Sequence, residues 1–460
     1  MSITFGTSGF RGIIGDNWTK ENVQKIGNAI KKIVEDNKEK VKILVGFDNR
    51  FMGKQSVDWF CDAVNCELAE LIVFSVPVVT PVLAFKTASQ FDYGIMITAS
   101  HNPYYYNGIK VFLRNGTEAS DDFFKVVVKN LPDKDKITTT RANPKYIDDI
   151  SDYIDRVASL LDVDAIKKAN LNICFNAMHG SGAQAVLSLF ERFGVRYTAL
   201  NTGRDAWFGT GAPAPSAANL KEQCEIIKNG KYNFGFAIDG DGDRISFIDG
   251  DGSIWECNHL MAVFYYYYAQ IKDRKGTLVK SHVSSSLVGE LCKKYGEEVI
   301  NTGVGFKFLS PALAASTALI ASEPAGIAFK DVSLIKDGIF PAFVLMEVIA
   351  KTKKSITELV NQIVKDVNFP SYMTEVPYTM EDLEAARKVI TGGDLPELGF
   401  KVEEVVRLPE GFKLCFENGY WVAVRLSGTE PVARIYVEMR NEETAKEALK
   451  KLEDFYGLNK

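Results

Sequence analysis

Two polar loops in this chain follow similarly built apolar runs. Thr98-Ala99-Ser100-His101-Asn102-Pro103 follows Tyr93-Gly94-Ile95-Met96-Ile97, and Asp239-Gly240-Asp241-Gly242-Asp243-Arg244 follows Phe234-Gly235-Phe236-Ala237-Ile238. Alternate residues of an extended loop point the same way, so Asp239, Asp241 and Asp243 converge while Gly240 and Gly242 let the backbone curl. Three carboxylates at close range raise one another's pKa unless a cation lies among them. An all-oxygen, all-anionic donor set suits Mg²⁺ or Ca²⁺ better than a soft transition metal. An EF-hand is the obvious competitor, but Arg244 stands where that loop needs glycine and Gly250 where it needs a bidentate glutamate. A serine hydroxyl is a poor nucleophile unless a base or metal assists it. Ser100 has His101 beside it, in a chain with only 4 histidines. No G-x-S-x-G elbow is present, so an acyl-transfer triad has no support. A nucleophile beyond one strand and a hard-metal site beyond another point to phosphoryl chemistry between them. Taken singly, the serine segment also fits a turn ahead of Pro103, and the aspartates a solvated acidic turn.

Two further segments suit an oxyanion. Arg425-Leu426-Ser427-Gly428-Thr429-Glu430-Pro431 follows a clear strand pattern and packs two hydroxyls, a glycine and an arginine into one tight loop. Arg434 adds a second positive group nearby. Thr7-Ser8-Gly9-Phe10-Arg11-Gly12 is another hydroxyl-rich arginine segment flanked by glycine.

The elements that must position these loops repeat. Val41–Phe47 reads as a strand, followed by a helix around Val57–Ala69 and a strand at Leu71–Val76. A second round runs Leu171–Phe175, helix Ala183–Phe193, strand Val195–Leu200. A third begins at Thr277–Lys280, with a helix at Leu287–Lys294, a strand near Glu298–Ile300, and Ala318–Glu323 as the counterpart of the two loop-bearing runs. Such alternation predicts α/β units with helices covering a largely parallel sheet and ligand loops beyond the strand ends. Polar, breaker-rich stretches at Asn130–Pro144 and at Phe369-Pro370-Ser371 read as linkers. Beyond the second, strands at Phe412–Phe416, Tyr420–Arg425 and Ala433–Met439 precede an amphipathic helix starting near Asn441, with Ala445, Ala448, Leu449 and Leu452 on one stripe. That is a small α+β domain.

Composition sets the bounds. The chain has 460 residues, room for roughly three domains by length, with 46% hydrophobic and 25% charged residues, the balance of a soluble globular protein. A net charge of −5 argues against nucleic acid as the main partner. Leu71–Phe85 is too short to span a bilayer and carries Pro77 and Pro81. No signal peptide is visible at the start, and 7 scattered cysteines without a CxxC suggest free thiols in a reducing cytoplasm.

Together the segments resemble the α-D-phosphohexomutase superfamily, in order and over nearly the whole chain. The shared signatures are TASHNP with the following Asn107-Gly108-Ile109-Lys110, DGDGDR, and RLSGTEP. The resemblance implies three similar α/β domains with mixed, largely parallel sheets plus a C-terminal α+β domain, arranged around a central cleft. Expected bounds are 1–145 for a phosphoserine domain, 146–254 for a metal-binding one, 255–368 for sugar recognition and 369–460 for phosphate binding. By resemblance, Ser100 would carry the phosphate and join Asp239, Asp241 and Asp243 around one Mg²⁺. His101 and Lys110 would assist proton transfer and charge stabilisation, with Arg11 and Arg244 as active-site arginines. Arg425, Ser427, Gly428, Thr429 and Arg434 would grip the phosphate that is not reacting, and Thr7 and Ser8 would also touch substrate. Lys307 and Glu323 would reach the sugar. The family's usual Gly-Glu-x-Ser-Gly loop is here Ser322-Glu323-Pro324-Ala325-Gly326, so Ala325 removes a hydroxyl and the sugar identity is open. The implied enzyme is a cytoplasmic mutase interconverting hexose 1-phosphate and 6-phosphate, most simply of glucose, with mannose as the runner-up. A sugar-phosphate-binding relative with weak turnover is a further alternative. A hexose 1,6-bisphosphate activator and a monomer or weak homodimer complete the expectation.

Overall fold

The computed structural model describes residues 5–6, 9–380, 387, 390–393, 395–408, 410–426 and 432–458. Among them the strands form four sheets, and three of these share one plan. In the first, Val41–Phe47 lies between parallel neighbours Ala69–Phe74 and Tyr93–Ile97, and Tyr93–Ile97 returns antiparallel as Tyr106–Leu113. In the second, Asn172–Asn176 lies between parallel Arg196–Leu200 and Phe234–Ile238, which returns antiparallel as Ile245–Asp249. In the third, Leu278–Ser281 lies between parallel Val299–Thr302 and Ile320–Glu323, which returns as Gly326–Phe329. The serine loop, the aspartate loop and the Pro324-Ala325 turn therefore occupy the same topological position in three successive domains. The fourth sheet is antiparallel throughout and is covered by the helix Glu442–Tyr456, whose Ala445, Ala448 and Leu452 are buried.

The pattern of each element explains its place. Parallel strands covered on both faces need continuous apolar runs. Ile43–Phe47, Ile173–Asn176 and Phe234–Ile238 are accordingly buried at every position. The helix Phe340–Thr352 is buried from Phe340 to Ala350, as a helix with apolar residues on every side must be. Its one buried carboxylate, Glu347, accepts from Tyr267 Oη and the Asp162 amide and pairs with Lys272 at 2.9 Å. One apolar core runs through the first three domains, and separate cores lie under the first and fourth sheets. All seven cysteines are free thiols, four of them buried. No helix among the described residues is long and apolar enough to cross a membrane.

Three features differ from the sequence reading. The helix expected at Val57–Ala69 spans Gly53–Val64 instead, because Ala69 must already pair with Val41 as a strand. The strand Val402–Leu408 has no counterpart in the sequence reading, and Tyr372–Thr379 appears there only as an unbounded strand-like segment beyond Phe369-Pro370-Ser371. They are the two edges of the last sheet, where one-sided pairing tolerates Pro377 and the charged run Glu403-Glu404 that hide a strand pattern.

Phe343 is fully buried against Phe190 and Phe193, with ring centroids 5.7 and 5.1 Å away. Phe343→Ala should destabilise the protein by about 3–5 kcal/mol through lost burial and a cavity. Thermal unfolding checks this; an unchanged midpoint would place the central core elsewhere.

Candidate active site

The serine and aspartate loops, 139 residues apart in sequence, meet. Ser100 Oγ donates to Asp239 Oδ2 at 2.6 Å. Gly240 makes the approach possible, since a Cβ there would sit 2.8 Å from the Ser100 carbonyl oxygen. Gly242, at φ 72°, turns the loop so that its Cα faces Val79; a Cβ there would lie 2.7 Å from Val79 Cγ1. Ser100 itself holds a left-handed φ of 51°, an unusual conformation for a residue with a Cβ. Thr80, at the start of the helix Thr80–Gln90, ties the loops further: its Oγ1 donates to Asp241 Oδ2 at 2.6 Å and its amide to Asp241 O at 2.8 Å.

The three carboxylates offer oxygens within 4.8 Å of one another. None is more than 1% exposed. Asp239 Oδ1 accepts the amides of Asp243 and Arg244, both at 3.0 Å. Lys110 stands opposite Met96 on the return strand and places Nζ 2.7 Å from both Asp241 Oδ2 and Asp243 Oδ2. Lys336, from the third domain, lies 3.7 Å from Asp243 Oδ1. Asp241 Oδ1 and Asp243 Oδ1 are buried without a hydrogen-bond donor. Buried acceptors left unpaired are costly. Two such oxygens beside a third carboxylate and a serine hydroxyl form the donor set of a hard divalent cation. The residues fit a metal.

The charges set the protonation of the cluster. Burial, followed by repulsion from Asp241 and Asp243, pushes Asp239 up to about 8. Asp243 goes the other way. Burial acts to raise it, but the surrounding cations Lys110, Lys336 and Arg244 hold it well below the usual carboxylate range. Burial opposes the charge of Lys110, yet Asp241 and Asp243 keep its pKa above the ordinary lysine value. His101, whose Nδ1 lies 3.3 Å from Ser100 Oγ, is held well below its usual pKa by burial and by Arg244 and Arg11. It is a neutral imidazole at pH 7. Arg11 donates to the side-chain oxygen of Asn102, which fixes it against the serine loop.

Other expected residues have partners outside this cluster. Glu323 is buried and accepts the Gly305 amide at 2.8 Å, while Ala325 is half-buried in the adjoining turn. Lys307 Nζ reaches from the third domain to Asp121 of the first at 2.9 Å. Arg425 and Arg434 face each other on adjacent strands, paired with Glu410 and Glu375 at 2.7 Å each. Thr7, Ser8, Ser427, Gly428 and Thr429 lie outside the described residues. Sequence reading missed Thr80, Lys336 and the Asp48-Asn49-Arg50 turn. Lys336 had a faint signal, the Lys-Asp-Gly step before a helix with apolar residues on every side. Gly338 there packs so closely that a Cβ would meet Gly242 O at 2.8 Å.

Comparison with known proteins places nearly the whole chain. Family models described as phosphoglucomutase/phosphomannomutase, alpha/beta/alpha domains I, II and III, match residues 2–137, 151–252 and 256–367, and the family's C-terminal domain model matches 359–454. This chain belongs to the phosphoglucomutase/phosphomannomutase family. Members of this family are phosphotransferase isomerases that act on phosphosugars. Similar relatives include a phosphoglucomutase/phosphomannomutase of Thermococcus kodakarensis, 31% identical over 98% of this chain and 97% of that protein. A phosphoglucosamine/phosphogalactosamine mutase of Sulfurisphaera tokodaii is 30% identical over 98% of both chains. The fold matches that of a phosphoglucomutase/phosphomannomutase family protein from Burkholderia thailandensis, with a TM-score of 0.82, 21% identity and coverage of 99% and 98%. It also matches the open form of the Paramecium phosphoglucomutase pp63/parafusin, with a TM-score of 0.81, 20% identity and coverage of 99% and 96%.

Adding Mg²⁺ to EDTA-treated protein should raise stability by about 2.7 kcal/mol at a hundredfold excess over Kd. Asp241→Asn should abolish the shift. A variant that keeps the full shift by thermal unfolding would show that the ion binds elsewhere.

Proposed function

We propose that this family member interconverts hexose 1-phosphate and hexose 6-phosphate, with glucose as the first substrate, through a phosphorylated Ser100 and a bisphosphorylated sugar. The single observation that carries the reading is the 2.6 Å contact of Ser100 Oγ with Asp239, which puts a hydroxyl at the edge of a buried three-carboxylate cluster. Asp239, Asp241, Asp243 and an oxygen of the phosphate on Ser100 would hold one Mg²⁺, which when bound supplies Lewis-acid neutralisation of phosphoryl charge.

Phosphoryl transfer depends on in-line placement and charge stabilisation. A sugar hydroxyl attacks the phosphorus on Ser100; the new O–P bond forms as the Oγ–P bond breaks, and the hydroxyl's proton passes to Oγ, giving the bisphosphate. The other phosphate then returns to Oγ. His101 Nδ1, 3.3 Å from Oγ, is the side chain placed to relay that proton, from the attacking hydroxyl to Oγ in the first transfer and from Oγ to the departing sugar oxygen in the second. Lys110, Arg11 and Arg244 hold the flanking oxygens. Arg425 and Arg434 lie on the two paired strands that precede and follow residues 427–431 in the chain. Like charges directly opposite on paired strands are unfavourable. A phosphate bound there would relieve that repulsion, as Glu410 and Glu375 do in its absence.

A second reading of the sugar has specific support. Ala325 offers no hydroxyl two residues beyond Glu323, and several relatives similar to this chain are named phosphoglucosamine mutases. An amino-sugar phosphate therefore stands beside glucose and mannose phosphates as a substrate. A coupled assay over the three sugars, with a trace of the matching 1,6-bisphosphate, ranks them.

Ser100→Ala should abolish turnover of every hexose phosphate and remove a phosphate from the intact-protein mass; full activity in that variant would exclude the mechanism. Ala325→Ser should change the ratio of kcat/KM between sugars by up to about tenfold, the worth of one hydrogen bond. An unchanged ratio would put sugar choice in other residues.

A further inference from the structure

The serine loop is held by a side chain outside every motif discussed above. Arg50, in the turn between Val41–Phe47 and Gly53–Val64, is fully buried. One terminal nitrogen donates to Ser100 O at 2.6 Å and Asn102 O at 2.7 Å; the other donates to Pro103 O at 2.9 Å and Tyr106 O at 3.0 Å. All four terminal N–H groups are thus committed to carbonyls of one loop. The Phe208 ring covers the guanidinium at 5.1 Å, and Asp48 Oδ2 lies 3.4 Å from Nε.

Asp48 holds the other side of the same residue. Its Oδ2 accepts Thr98 Oγ1 at 2.6 Å, and Thr98 Oγ1 accepts the Ser100 amide at 2.8 Å. The carbonyl and the amide of Ser100 are therefore both anchored to one three-residue turn, while the backbone between them holds its left-handed φ of 51°. Asn49, the middle residue, reaches into the second domain and donates to His179 O and Gly180 O, both at 2.8 Å. That segment lies directly on the aspartate loop, with Ser181 N donating to Gly240 O at 3.0 Å.

We propose that Asp48-Asn49-Arg50 is a positioning clamp, with Arg50 its principal member, that orients Ser100 Oγ for in-line transfer and fixes its register against the aspartate loop. Arg50 touches no reacting atom. It acts through the serine backbone, and the inference rests on the phosphoserine reading above. Four carbonyls served by two terminal nitrogens need the four N–H donors of a guanidinium fork; an ammonium with three protons cannot satisfy them all. Strained backbone at a functional residue persists only where its surroundings over-determine it, and this turn supplies that constraint.

The test compares Arg50→Lys and Arg50→Ala with the wild-type protein, using glucose 1-phosphate with glucose 1,6-bisphosphate and Mg²⁺. Misplacement by about 1 Å costs on the order of a hundredfold in rate, so Arg50→Lys should lower kcat by about that factor. KM and the Mg²⁺-induced thermal shift should stay near wild type, a split that general loss of structure does not produce. In Arg50→Ala, millimolar guanidinium should restore part of kcat by refilling the cage, and methylammonium should not. Wild-type kcat in Arg50→Lys overturns the inference, as does equal rescue by methylammonium or a loss seen entirely in KM. Should Arg50→Ala fail to fold, Arg50→Lys alone decides. Failure of the underlying reading shows separately, as a wild-type protein that neither turns over the sugar nor carries phosphate on Ser100, and the inference then falls with it.

Discussion

Three carboxylates packed into a dry interior are the constraint around which the rest is arranged. Burying one ionised carboxylate is costly, and burying three together is sustainable only if cations and donors surround them. The chain brings those partners from four places: Lys110 from the first sheet, Thr80 from a helix start, Lys336 from the third domain, and Arg244 from the loop itself. Even so, two carboxylate oxygens remain without donors. That residual deficit is the physical argument for a metal, independent of any likeness to other proteins. It also explains why the domains cannot be read as independent beads, since the charge balance of the second domain is completed by the first and the third.

The repeated topology delivers this convergence. Each of the first three domains sends a loop from a central parallel strand into an antiparallel return, so equivalent positions carry the nucleophile, the carboxylates and the Glu323 turn. The same plan, with different side chains, distributes three chemical tasks over three copies. The last domain has another architecture, and two facing arginines on adjacent strands give it a distinct local charge.

Much of the fold was legible because the inner parallel strands, such as Ile43–Phe47 and Phe234–Ile238, are buried on both faces and read as unbroken apolar runs. The helices Ala183–Phe193 and Leu287–Lys294 matched the sequence reading residue for residue, since each has a clear apolar stripe. The edge strands of the last sheet were not legible, because an edge tolerates proline and charge. At the site, Ser100 and the three aspartates stood out as an unusual concentration of polar groups beyond apolar runs. Thr80 and Arg50 did not, because a threonine before a proline and an arginine in a turn look ordinary until the backbone they bind is known. Their signal is tertiary: Thr80 meets a residue 161 positions away, and Arg50 holds carbonyls some 50 positions on.

The measurement that bears most directly on the central claim is an anomalous difference map from crystals of this protein soaked in Mn²⁺. One peak is predicted, bounded by carboxylate oxygens of Asp239, Asp241 and Asp243, with Ser100 Oγ or its phosphate at coordination distance. A peak lying away from that triad, or one at the triad with Ser100 turned out of reach, would contradict the account.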